Sequence, residues 1–162
     1  MKRPAYLLAV VASASLVAAP PSTAQPTVGT AVYVQIRQSF APVDGDDQCV
    51  GTAALAPVRR GSSVVLSEGA AVADTTKVAV GQFFRSRLRD RICEALYITS
   101  APVMPTFNVQ FAGPGGELSP TFGPTPSEPV TYQPGIEQVV RVDLDVPDVP
   151  DVPDVPDVPP SP

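Results

Sequence analysis

The sequence predicts an all-β domain, an antiparallel β-sandwich of immunoglobulin-like arrangement or a small barrel, followed by an extended proline-rich tail. Three observations predict it: short stretches alternating apolar and polar residues, Gly- and Pro-containing connections between them, and no segment that reads only as a long helix.

The chain opens with Lys2 and Arg3, then runs uncharged from Ala5 to Ala19 with Leu7, Leu8, Val10, Val11, Leu16 and Val17 at its centre. A membrane-spanning helix needs about 20 apolar residues. Here Pro20 and Pro21 end the run, and Ser22 and Ala24 are small residues of the kind a signal peptidase reads. Residues 1–24 are therefore expected to be a signal peptide cleaved after Ala24, leaving no stable transmembrane anchor.

The remaining 138 residues, Gln25 to Pro162, suit one domain with extensions. Residues 25–112 are expected to form a disulfide-linked β-domain, 113–135 a Pro/Gly-rich linker or long loop, 136–144 a final strand and 145–162 a repeat tail. Within the domain, Val28, Thr30, Val32, Val34 and Ile36 share one face of a first strand. Asp44-Gly45-Asp46-Asp47 is a turn; clustered carboxylates suit a calcium ion, but no Glu stands at the twelfth position of such a loop. Val64–Leu66 lie between Gly61 and Gly69, and Ala71–Val80 alternates weakly. Ile92–Thr99 is β-branched and aromatic, Phe107, Val109 and Phe111 alternate, and Ile136, Gln138, Val140 and Val142 face one way. Gln82–Tyr97 has two readings. Phe84, Leu88, Ile92 and Leu96 recur every fourth residue, which also fits a helix face.

Cys49 and Cys93, the only cysteines, read as one intramolecular disulfide in an exported domain. The chain has no His and no Trp, which excludes Ser-His-Asp and Cys-His catalysis and His-containing zinc sites, while two cysteines cannot build a four-cysteine zinc site. A glycosidase-like carboxylate pair remains open for hydrolytic chemistry, from five scattered Glu and few Asp in the domain. No cofactor is implied.

Without Lys2 and Arg3 the 11 basic residues become 9 against 16 acidic ones, a mature net charge of −7. Six of the negative charges are Asp143, Asp145, Asp148, Asp151, Asp154 and Asp157, so the domain itself is nearly neutral and lacks a nucleic-acid footprint. Its one basic run is Arg85, Arg87, Arg89 and Arg91, four guanidinium groups expected on one strand face about 6.8 Å apart, suited to a polyanion or to an ordinary solvated face.

From Asp145 to Pro159 the chain repeats Asp-Val-Pro five times. Proline at every third position forbids a helix and matches the three-residue turn of polyproline II. The tail is expected to be extended and exposed, a spacer or docking strip.

Gln48–Gly51 (QCVG), Arg59–Leu66 (RRGSSVVL), Ser67–Gly69 (SEG), Arg91–Val103 (RICEALYITSAPV) and Thr106–Phe111 (TFNVQF) together resemble a domain of small secreted and membrane-tethered actinobacterial proteins of uncharacterised function. Ala53, Ala54 and Leu55 stand where that pattern has Tyr or Phe, and the arginine run lies outside it. The resemblance implies a disulfide-linked β-sandwich and carries over no catalytic residue.

These observations imply a non-enzymatic binding or structural module, secreted or held at the cell envelope, with an extracellular or envelope partner of unspecified kind. The alternatives are a cell-wall spacer acting through the tail and a carboxylate-dependent secreted hydrolase.

Overall fold

The computed structural model describes residues 25–68 and 76–144. The expected signal peptide, the start of the weakly alternating 71–80 stretch and the Asp-Val-Pro tail lie outside these.

Among the described residues nine strands follow one another: β1 (Thr27–Ile36), β2 (Phe40–Pro42), β3 (Cys49–Gly51), β4 (Ser63–Glu68), β5 (Thr76–Arg89), β6 (Ile92–Pro102), β7 (Thr106–Ala112), β8 (Phe122–Gln133) and β9 (Ile136–Leu144). Seven close into a barrel in the order β1-β6-β5-β4-β7-β8-β9, while β2 and β3 form a separate hairpin. The all-β class is as expected. The closure corrects the wholly antiparallel sandwich: β1 and β9 pair in parallel, Thr30 beside Gln138 through Ile36 beside Leu144, so one continuous sheet returns to its first strand.

Period two explains the core. Val32, Val34 and Ile36 on β1, Ala95 and Tyr97 on β6, Phe107, Val109 and Phe111 on β7, and Val140, Val142 and Leu144 on β9 are buried in one cluster. Phe83, Tyr97, Phe111 and Phe122 run through it as successive ring contacts at 5.5, 5.5 and 6.1 Å. Phe83 and Phe122 are the partly buried ends of this chain.

The ambiguous 82–97 stretch is a β-hairpin. Ser86, Cys93, Ala95 and Tyr97 are its buried residues, whereas Phe84 and Leu88 of the every-fourth-residue pattern are exposed. Arg89 pairs with Ile92 across a two-residue loop, Asp90 and Arg91, both at positive φ (50° and 62°), which is the twist that suits a tight hairpin.

The stretch read as a linker or long loop contains β8, and its prolines explain both the strand and its concealment. Ser127 N donates to Pro105 O (2.9 Å), so odd-numbered amides of β8 point to β7 and even-numbered positions to β9. Pairing with β7 ends at Thr106 beside Pro126, and pairing with β9 begins at Ser127 beside Val140. The absent donors of Pro124 and Pro126 thus face β9 before that pairing starts, and that of Pro129 faces β7 after it has stopped.

The two ends of the barrel differ. Residues between β1 and β4 cover one end, where Cys49, Leu55 and Val58 are buried and Cys49 is bonded to Cys93 of β6. At the other end, Pro134-Gly135 turns β8 into β9, with Gly135 at φ 78°. A Cβ on Gly29 would sit 1.7 Å from Gly135 O, so only glycine lets β1 pass this turn. No helix among the described residues is long and apolar enough to cross a membrane.

Candidate functional site

The uncapped end carries an apolar pocket of about 320 Å³ lined by Val28, Val103, Met104, Pro105, Ser127, Pro129, Glu137 and Gln138. Four chain segments converge here: the start of β1, the β6–β7 connection, the middle of β8 and the start of β9. Val103 is 69% exposed at its rim.

Its polar floor is internally paired. Gln138 is 3% exposed. Its Nε2 donates to Thr30 Oγ1 (3.2 Å) and to Pro102 O (3.3 Å). Its Oε1 accepts from Met104 N (3.2 Å), and Ser127, 3.4 Å from that oxygen, gives its one hydroxyl proton to Met104 O. Both donors and one lone pair of the amide are thereby engaged, leaving the Gln138 side chain no free donor for a polar guest. Glu137 is the only ionisable residue in the lining.

A second depression, about 460 Å³, lies between Thr121–Pro126 of the β8 side and Arg141–Leu144 of β9. It marks the interval where the two strands do not pair. Continuing their register would oppose Pro126 to Arg141 and Pro124 to Asp143, and neither proline has an N–H to give.

The arginine run lies near the capped end, and its expected geometry is corrected in one respect. Arg85, Arg87 and Arg89 face outward on β5, but Arg91 belongs to the turn, so three rather than four share the strand face. A bulge between Phe83 and Arg85 turns both Phe84 and Arg85 outward, with the Arg85 guanidinium 5.8 Å from the Phe84 ring centre. Arg87 is ion-paired with Glu94 across the hairpin, and Arg89 Nε is 3.6 Å from Asp90 Oδ2. Among the described residues neither Arg85 nor Arg91 has a carboxylate within ion-pair distance.

The Asp44–Asp47 turn is structural in its last residue. Where β4 no longer flanks β5, Asp47 Oδ1 accepts from Ser86 N (3.2 Å) and Gln48 Oε1 from Leu88 N (2.9 Å). Ser86 Oγ donates to Cys49 O (2.7 Å) beside them. These side chains cover an otherwise open sheet edge. Asp47 also pairs with Arg60 at 2.5 Å, which raises the Arg60 pKa, chiefly through that hydrogen bond. No group of three or more metal-ligating side chains occurs among the described residues.

Cys49 and Cys93 form the disulfide expected from the sequence, Cα atoms 5.7 Å apart. The acidic repeat (Asp145, Asp148, Asp151, Asp154, Asp157) lies outside the described residues. Sequence reasoning missed the pocket because its lining comes from four separated segments. The available signal was Gln138, a polar side chain on the apolar face of its strand.

Compared with protein-family models, curated proteins and solved structures, the chain finds no match.

Proposed function

We propose that this chain is an exported, non-enzymatic binding module, secreted or held at the cell envelope, that receives an apolar group at the uncapped end of its barrel. In this reading it is akin to the small actinobacterial exported domains that Cys49–Phe111 resembles. The observation that carries the reading is the pocket with its self-paired floor: an apolar concavity whose buried amide has both donors and one acceptor site already engaged gains by covering hydrocarbon and offers little to a polar guest. Export rests on the expected signal peptide and is consistent with the disulfide. The single carboxylate of the lining supports binding over carboxylate-pair hydrolysis, which needs two such groups flanking the scissile bond.

Titrating the isotope-labelled exported protein with straight-chain alcohols from butanol to octanol tests it. Amide shifts are expected at Val28, Val103, Met104 and Gln138, with affinity rising by about 0.8 kcal/mol per added methylene until the pocket is filled. Met104→Asp should abolish the series. Shifts scattered over the surface, or none, would overturn the reading.

A further inference from the structure

We propose that the acidic repeat Asp145–Pro159 docks in cis on the outer face of the β5–β6 hairpin, its carboxylates on the arginines and its valines and prolines on Phe84.

The register fixes where the repeat begins relative to that face. Leu144 lies beside Ile36, Ile36 beside Cys93 and Cys93 beside Leu88, one row across four adjacent strands. Strands in a sheet lie about 4.8 Å apart, so the last residue of β9 is roughly 14 Å across the wall from β5. Because β9 runs parallel to β1, and β5 runs the same way through the antiparallel β6, the chain leaves the barrel at the end where the Asp90-Arg91 turn stands.

Length suffices. At about 3.1 Å per residue, five residues bridge that distance. Asp151, Asp154 and Asp157 then remain for the hairpin. Three consecutive aspartates span about 19 Å in polyproline II, and five residues of β5 from Arg85 to the turn span about 17 Å.

The face matches the repeat in both of its chemistries. Arg85, Arg87 and Arg89 stand there with Arg91 in the adjoining turn, against Glu94 and Asp90, and Arg85 and Arg91 are not ion-paired among the described residues. Beside Arg85, Phe84 is turned outward by the bulge and is 63% exposed, apolar surface that a solvated charged strand does not need. A proline-rich strip with an acid every third residue offers carboxylates to the arginines and pyrrolidine rings and valine methyls to Phe84. Sequence alone leaves the tail without fixed contacts, since its prolines prevent strand pairing; the docking proposed uses side chains only. Tethering places the repeat at millimolar effective concentration, enough for contacts individually weak and screened by salt.

The test uses the exported protein, isotope-labelled, with a nitroxide on Ser161→Cys. Amides from Phe84 to Ile92 should lose at least half their intensity at 20 mM NaCl and recover it at 500 mM. The variant with Arg85, Arg87, Arg89 and Arg91 all changed to Gln should show no loss, its remaining spectrum reporting an intact barrel. Phe84→Ala should weaken the effect with the arginines present. Absence of broadening at low salt, or broadening that survives the four substitutions, would overturn the proposal. So would broadening in a mixture where label and isotope sit on different copies, which would make a second molecule the docking site.

Discussion

The hydroxyls of Tyr97 on β6 and Ser62, just before β4, lie 2.8 Å apart inside the barrel, both residues fully buried. Ser62 Oγ gives its own proton to Arg59 O (2.6 Å), so in this arrangement Tyr97 is the donor. Burial pushes the Tyr97 phenol well above the ordinary tyrosine value, against a smaller opposing effect of Ser62.

That shift makes the barrel sensitive to alkali in a defined direction. The folded state holds the proton more tightly than the unfolded chain, so the contribution is intact below about pH 10 and declines as pH rises beyond it. Denaturant unfolding between pH 8 and 11 should show the native protein losing up to about 1.4 kcal/mol per pH unit above 10 through this group. Tyr97→Phe should cost about 0.5–1.5 kcal/mol at neutral pH and remove that part of the alkaline loss. Equal pH profiles would contradict it.

The disulfide joins the cap to the barrel across 44 residues. In the chain-entropy model a loop of that length stabilises by about 4 kcal/mol, so the Cys49→Ala, Cys93→Ala double variant should unfold at markedly lower denaturant concentration. Mass measurement of the exported protein should give a start at Gln25 or its pyroglutamate and a value two hydrogens below the residue sum. Two alkylatable thiols would contradict the bond.

Arg91 holds φ at 62°, a conformation that costs a side-chain-bearing residue roughly 1–2 kcal/mol. Asp-Gly is the preferred pair for such a turn. Arg91→Gly is expected to stabilise the protein by about 0.5–1 kcal/mol net of glycine's extra unfolded-state freedom, raising the melting midpoint. A lower midpoint would mean that the guanidinium contributes more than the backbone gains.

Gln138→Leu should destabilise by about 2–4 kcal/mol, because Met104 N and Pro102 O lose their partner in a buried setting. Gln138→Glu supplies the acceptor but not the donor and should fall between the two, measured by the same unfolding curves.

Much of the wall was legible because β1, β7 and β9 alternate cleanly, and the cysteine pair had one solution. The β5–β6 hairpin was ambiguous for a physical reason: Phe84 and Leu88 are apolar yet exposed, which fakes a helical period, and its turn contains no glycine. β8 was hidden because prolines normally exclude a central strand, and only the hand-over from β7 to β9 reveals that their missing donors fall on unpaired edges. Barrel closure depends on β1 meeting β9, with Thr30 and Gln138 separated by 108 positions, a relationship that local patterning does not encode. The pocket inherits that invisibility, since its lining is assembled by the same long-range pairing.

The parallel β1–β9 pair also gives the molecule a polarity. Two neighbouring strands that run the same way bring the polypeptide in through the pocket mouth and send it out past the disulfide cap. Anything that grips the carboxy-terminal repeat therefore takes hold of the barrel by its sealed base, as a stem holds a cup, and presents the open mouth outward.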